Sequence, residues 1–233
     1  MKYTINQYCI CFFAVLLMAA NLNSPVKKSD IKPQLVRVDG GTFEFGDGVN
    51  FPKEPAKVQS FLIGKYEVTQ KEWRSIMGKI PKGIPVCDDC PVGKVTLLEA
   101  TKFLAKLSKK TGAQYRLPTQ EEWEFAAKGG ILSKNTVYSG SNDETEVGWV
   151  NSTANEAHPV GKLPPNELGI FDMTGNVREW TSSHYQGKST VYYMRGGSFR
   201  NSQHLSTNTW RDWLGDRYTD VDIGFRYALD VKL

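Results

Sequence analysis

The sequence predicts an α+β domain with its helices gathered in the first half and an irregular, loop-rich second half. Three observations carry this. Short β runs open the chain after residue 34. Three helix starts of one kind then follow between residues 69 and 129. From Ile131 to Leu233 turns, short strands and aromatics alternate without a long helical period.

"QLVRVDGGTFEFG" holds two β runs, Leu35–Val38 and Thr42–Gly46. Gly40-Gly41 between them suggests a hairpin. "VQSFLIGKYEV" reads as another strand. "TQKE" at Thr69, "TLLE" at Thr96 and "TQEE" at Thr119 are capping boxes: each Thr hydroxyl accepts from a first-turn backbone N–H, and a Glu three residues on reaches back. Gly78, Gly112 and Gly129 supply the stops. In the second helix Leu97, Ala100, Phe103, Leu104 and Leu107 share one face, and Lys102, Lys106, Lys109 and Lys110 decorate the rest. A loop-rich second half must satisfy its backbone groups through turns, side chains, water or ions.

The 233 residues suffice for one domain with a substantial core. A net charge of +4, with acids and bases mixed, gives no phosphate-tracking stripe, so no nucleic-acid partner is expected. Lys2 followed by "YCICFFAVLLMAA" reads as a signal peptide over residues 1–24. The apolar run is shorter than the roughly twenty residues a span needs, so membrane attachment is expected only if this segment stays uncleaved. Residues 25–34 read as a linker and 35–233 as the domain. The expected location is exported: periplasmic, cell-envelope or secreted. In that compartment Cys87 and Cys90 of "PVCDDCP" are expected to form a disulfide that clips a surface loop.

"GGTFEFG", "YEVTQKEW", "YRLPTQEEWEFAAKGG", "PNELGIFDMTGNVREWTSS", "RGGSF" and "GFRYAL" follow one another in order. Together, over roughly residues 35–230, they closely resemble the formylglycine-generating (sulfatase-modifying factor) enzyme family. The resemblance implies an irregular, loop-rich α+β fold related to C-type lectins. It also implies a reaction: family enzymes oxidise a sulfatase cysteine to formylglycine with oxygen and a copper ion held by two cysteines. Soft thiolates select Cu(I). By the family's spacing from the GGS motif those cysteines fall at Asn201 and Ser206, with Ser198 beside the substrate cysteine. Amide and hydroxyl groups do not replace two thiolates, so no copper is expected here. Cys87 and Cys90 lie in a different loop.

The resemblance implies a structural calcium on "DMTGNVREW". Asp172 and Glu179 would give side-chain oxygens, Gly175 and Val177 backbone carbonyls. The family's second calcium site is not carried over, because "VGWVNSTANEAHPVGKLPPN" is short. His158, His184 and His204 are scattered and read as surface or hydrogen-bonded residues. His204 is the nearest base in sequence to Ser198, without triad spacing. Arg116 and Arg226, flanked by apolar residues, need partners; Glu122, Glu124 and Glu179 are the candidates. Trp123, Trp149, Trp180, Trp210 and Trp213 read as core. Residues 198–222, rich in small polar and aromatic types, suit recognition of a protein, peptide or glycan. The leading expectation is a binding or scaffold module without formylglycine-generating activity. The alternative is a diverged sulfatase-maturing oxidoreductase or another enzyme in the same cleft.

Overall fold

A computed structural model of the chain describes residue 1 and residues 32–231. The expected signal peptide and most of the linker lie outside the described residues. No helix among the described residues is long and apolar enough to cross a membrane.

Four short strands come first: β1 (Leu35–Val38), β2 (Gly41–Phe45), β3 (Glu54–Val58) and β4 (Phe61–Gly64). The expected hairpin does not form. β1 pairs antiparallel with β4, and β2 with β3. The reason lies at Gly40, where a Cβ would sit 2.6 Å from Val58 O and 2.8 Å from Ser60 N. The glycine serves this close backbone approach, not a tight turn. The expected single strand after it is also two strands, broken at Gln59-Ser60.

The three helices stand where the capping boxes place them: α1 (Gln70–Met77), α2 (Leu97–Thr111) and α3 (Gln120–Ala127). Thr69, Thr96 and Thr119 are the N-caps, each with the reciprocal Glu contact formed. Gly78 and Gly112 end the first two at positive φ. α3 ends at Ala127, two residues before the expected Gly129: Lys128 is its C-cap, and Gly129 follows at φ 90°. α2 buries the five predicted residues. They join Trp73, Trp180 and Phe225 in one core; Trp123, Phe61, Ile63 and Met173 belong to a second.

Among the described residues the second half has one α-helix, the four-residue α4 (Glu144–Val147), and its strands are β5 (Arg178–His184), β6 (Val191–Arg195), β7 (Asp212–Gly215), β8 (Ile223–Gly224) and β9 (Ala228–Asp230). One sheet runs β7-β6-β5-β8, with β5 and β8 parallel. The last strand returns to the first half in the order β1-β4-β9. Between β8 and β9, Arg226 lies against Gly64 of β4 and Glu179 of β5.

Candidate functional site

The family-like cleft is built on two laced turns. β6 ends in Arg195, and Gly196 and Gly197 follow at φ 88° and 66°. These left-handed conformations favour glycine. Gly197 also has no room for a side chain: a Cβ would lie 2.1 Å from Ser206 Oγ and 2.6 Å from Leu205 O. The facing turn, residues 172–177, is tied on by Gly175 N to Gly196 O and Phe199 N to Asn176 O.

Ser198 and Ser206 are fully buried. Ser198 Oγ lies 2.7 Å from Asp222 Oδ2 and 2.8 Å from Asn201 Oδ1, and accepts from Arg200 N. His204 is exposed and is not among its partners. Asn201 is therefore a structural bracket: its side chain meets Ser198 and its carbonyl accepts from Asn151 N. Ser206 Oγ reaches only Ser202 O, at 3.5 Å. Arg178 connects Asp222 to Asp212, donating at 3.1 and 2.9 Å. Burial works to lower its pKa, but the two carboxylates outweigh that and hold it above its ordinary value.

The cavity bounded by Arg178, Arg195, Gly197, Asn201, Trp210 and Asp212 has a volume of about 90 Å³. That is room for about three waters at ~30 Å³ each, well below the ~300–1,000 Å³ of ordinary ligand pockets. The cleft is filled by its own side chains.

The "DMTGNVREW" segment is not an open ion cage. Glu179 Oε1 and Oε2 accept from Arg226 Nη2 and Nε, both at 2.7 Å, and Oε2 also from Trp123 Nε1 at 2.8 Å. Glu67 packs beside it and accepts from Val177 N and Asn176 Nδ2. Asp172, at φ 56°, accepts from Gly161 N on Oδ2, and its Oδ1 is buried without a donor. Five of these six carboxylate oxygens thus face N–H donors. Calcium takes roughly six to eight oxygens, and among the described residues no group of three or more His, Cys, Asp or Glu is placed to hold a metal. Of the two side chains in the implied calcium site, Glu179 has both oxygens in hydrogen bonds to Arg226 and Trp123, and Asp172 keeps one oxygen without a donor. The Arg226 guanidinium stands against Glu179 as the counter-charge of this turn. One cation among three buried carboxylates leaves excess negative charge. Burial, then Asp172 and Glu179, push Glu67 well above the usual carboxylate range, and burial raises Asp172 to about 6.

The other expected residues are spread out. Arg116 pairs with Glu122 and with Asp230, and Arg226 with Glu179. Glu124 serves instead Arg195, both fully buried. Trp123 and Trp180 are core. Trp149 is half-buried and stacks on His158 at 3.9 Å. Trp210 is half-buried beside Phe51, and Trp213 is 42% exposed, so these two are not core. Trp213 stacks on Tyr185. His184 is exposed against Tyr192. Cys87 and Cys90 form the expected disulfide. The sequence reading missed Glu67, Arg178, Arg195 and Asp222. Glu67 was signalled by its setting between apolar neighbours in "YEV", and Arg195 by its place at a strand end before two glycines.

Fold and site define a class: a loop-rich α+β domain whose Gly-Gly-Ser turn closes over a buried Arg–carboxylate network. The chain belongs to the sulfatase-modifying factor enzyme 1-like domain family, whose model matches residues 20–231. Chaperone protein LppX of Paenibacillus barcinonensis is 32% identical over 221 residues, covering 72% of this chain and 78% of that one. Inactive C-alpha-formylglycine-generating enzyme 2 of Bos taurus is 33% identical over 193 residues, covering 73% of this chain and 59% of its own. Treponema denticola variable protein 1 superposes with a TM-score of 0.75 at 25% identity, over 84% of this chain and 95% of that one.

Proposed function

We propose that this chain is an exported, non-catalytic member of its family, acting as a binding or scaffold module through contacts of its 198–222 region. One observation carries the proposal: Asn201 and Ser206 stand where the family resemblance places the copper thiolates, and both side chains are engaged with their own loop. Ser206 fills the void left by Gly197, and Asn201 brackets Ser198. A hydroxyl and an amide are hard, neutral donors without the affinity for Cu(I) that two thiolates supply. Ser198 has no imidazole beside it, and its carboxylate neighbour Asp222 is paired with Arg178, which makes it a weak base for that hydroxyl. Export draws on the charged start and apolar run of residues 1–24. The names of two relatives, a chaperone protein and an inactive enzyme, point the same way.

The test is direct. The purified protein is incubated with copper, oxygen and a peptide carrying Cys-x-Pro-x-Arg. The expected mass spectrum shows an unchanged cysteine. Conversion to formylglycine overturns the proposal in favour of a diverged oxidoreductase.

A further inference from the structure

The 90 Å³ cleft has no room for a partner, but a larger open groove forms where Arg217 and Thr219 of the 198–222 region meet the start of α2 and the segment before it. Its volume is about 710 Å³, and Pro81, Lys82, Lys94, Thr96, Leu98, Glu99, Arg217 and Thr219 line it. That volume falls within the range of ligand sites, roughly 300–1,000 Å³.

Its charges do not balance. Lys82, Lys94 and Arg217 are cationic, and none forms an ion pair among the described residues. Glu99 is the one carboxylate of the lining, and it is committed to the α2 capping box, where Oε2 accepts from Thr96 N and Oγ1. Asp220, next to Thr219, is held by Arg200 and Val221 N. Two positive charges are left over.

The cations are also placed by the fold. Lys94 has φ 59°, its N–H donates to Asp220 O at 2.9 Å, and its ammonium lies against Gly83, where a Cβ would be 3.0 Å away. Between the cations the groove exposes an apolar surface, with Leu98 71% exposed beside Pro81. Thr219 Oγ1 is shielded and has no hydrogen-bond partner.

We infer that this groove binds an acidic peptide segment of a partner protein, one that sets an apolar side chain between carboxylates. The carboxylates meet Lys82, Lys94 and Arg217, and the apolar side chain covers Leu98 and Pro81. A sulfated sugar or a phosphate would satisfy the cations and leave Leu98 in water, so the peptide uses more of the surface. This inference rests on the reading of the chain as a binding module and names the class of partner. Charge pairing at an open groove sets encounter and salt dependence.

The experiment uses the full chain and a fluorescein-labelled Glu-Asp-Leu-Glu-Asp peptide, followed by anisotropy. Its controls are the Gln-Asn-Leu-Gln-Asn peptide, a Glu-Asp-Ser-Glu-Asp peptide and a heparin oligosaccharide. Binding of the acidic Leu peptide is expected at about 50 mM salt, weakening roughly tenfold or more by about 300 mM. The Lys82→Glu/Arg217→Glu double variant should lose at least about tenfold in affinity with an unchanged melting temperature. The amide control should not bind, and the Ser peptide should bind several-fold more weakly. Three results would overturn the inference: no binding by the acidic peptide, equal binding by the double variant, or charge-dependent binding of heparin without binding of the peptide. The cysteine-oxidation assay separates the two claims. A silent peptide with an unmodified cysteine removes this groove alone. Formylglycine formation removes the parent reading.

Discussion

A glycine decides the geometry of the family-like cleft. Gly197 sits at φ 66° with Ser206 packed into the space that its missing side chain leaves. Gly197→Ala imposes a left-handed conformation on a Cβ and drives that atom into Ser206 Oγ and Leu205 O. Strain of ~1–3 kcal/mol and overpacking of similar size together predict a loss on the order of 3 kcal/mol or more, read from a denaturant melt. Gly197→Ala/Ser206→Gly should recover part of that loss, because it removes the Ser206 clash and leaves the Leu205 O contact and the backbone strain. A Gly197→Ala protein as stable as the parent would contradict the packing described here. The same residue shows what sequence can and cannot say. "RGGS" announces a special turn, but the partner filling it comes from a 3-10 turn, Gln203–Ser206, that no local pattern marks.

The turn at 172–177 is an element held by charge as much as by backbone. Asp172 faces Glu67, Glu179 and Arg226, and its Oδ2 accepts from Gly161 N. Its carboxyl is raised to about 6 from 3.8, mostly by burial. Between those two values the folded state binds the proton more tightly than the unfolded chain, so stability falls as pH rises through that window. Glu67, raised for the same reason, adds in the same direction. The expected outcome is greater stability at about pH 5 than at about pH 7.5, with a contribution from Asp172 on the order of 1.4 kcal/mol between those two values. Asp172→Asn keeps an acceptor for Gly161, suits positive φ and removes the buried charge. It should raise stability at neutral pH and flatten the pH dependence between about 4 and 6. Equal slopes in parent and variant would remove Asp172 as the source.

Across the whole molecule, local signals were legible and long-range partners were not. The capping boxes needed only residues three apart, and all three formed. The α2 face needed only the helical period. β1 and β4, by contrast, pair across the strands between them, and β9 closes the same sheet from the far end of the chain. A double glycine that promised a hairpin instead gave a close backbone crossing. The candidate site divides the same way. Asn201 and Ser206 could be placed by counting from "GGS", and Glu179 by its motif. Glu179 was one of three candidate partners for Arg226 in the sequence, and only the fold chose it, across 47 residues, through both of its oxygens. This sets the last prediction. A native-state calcium site at a hundredfold excess over its Kd would add ~2.7 kcal/mol. In a domain of this size that is a rise of several degrees in melting temperature, at roughly 2–4 °C per kcal/mol. With Glu179 committed to Arg226, melting in about 1 mM calcium and in excess chelator should agree within about 1 °C. A calcium-dependent rise that vanishes in Asp172→Asn would show instead that the ion displaces the guanidinium and that the buried carboxylates are its ligands.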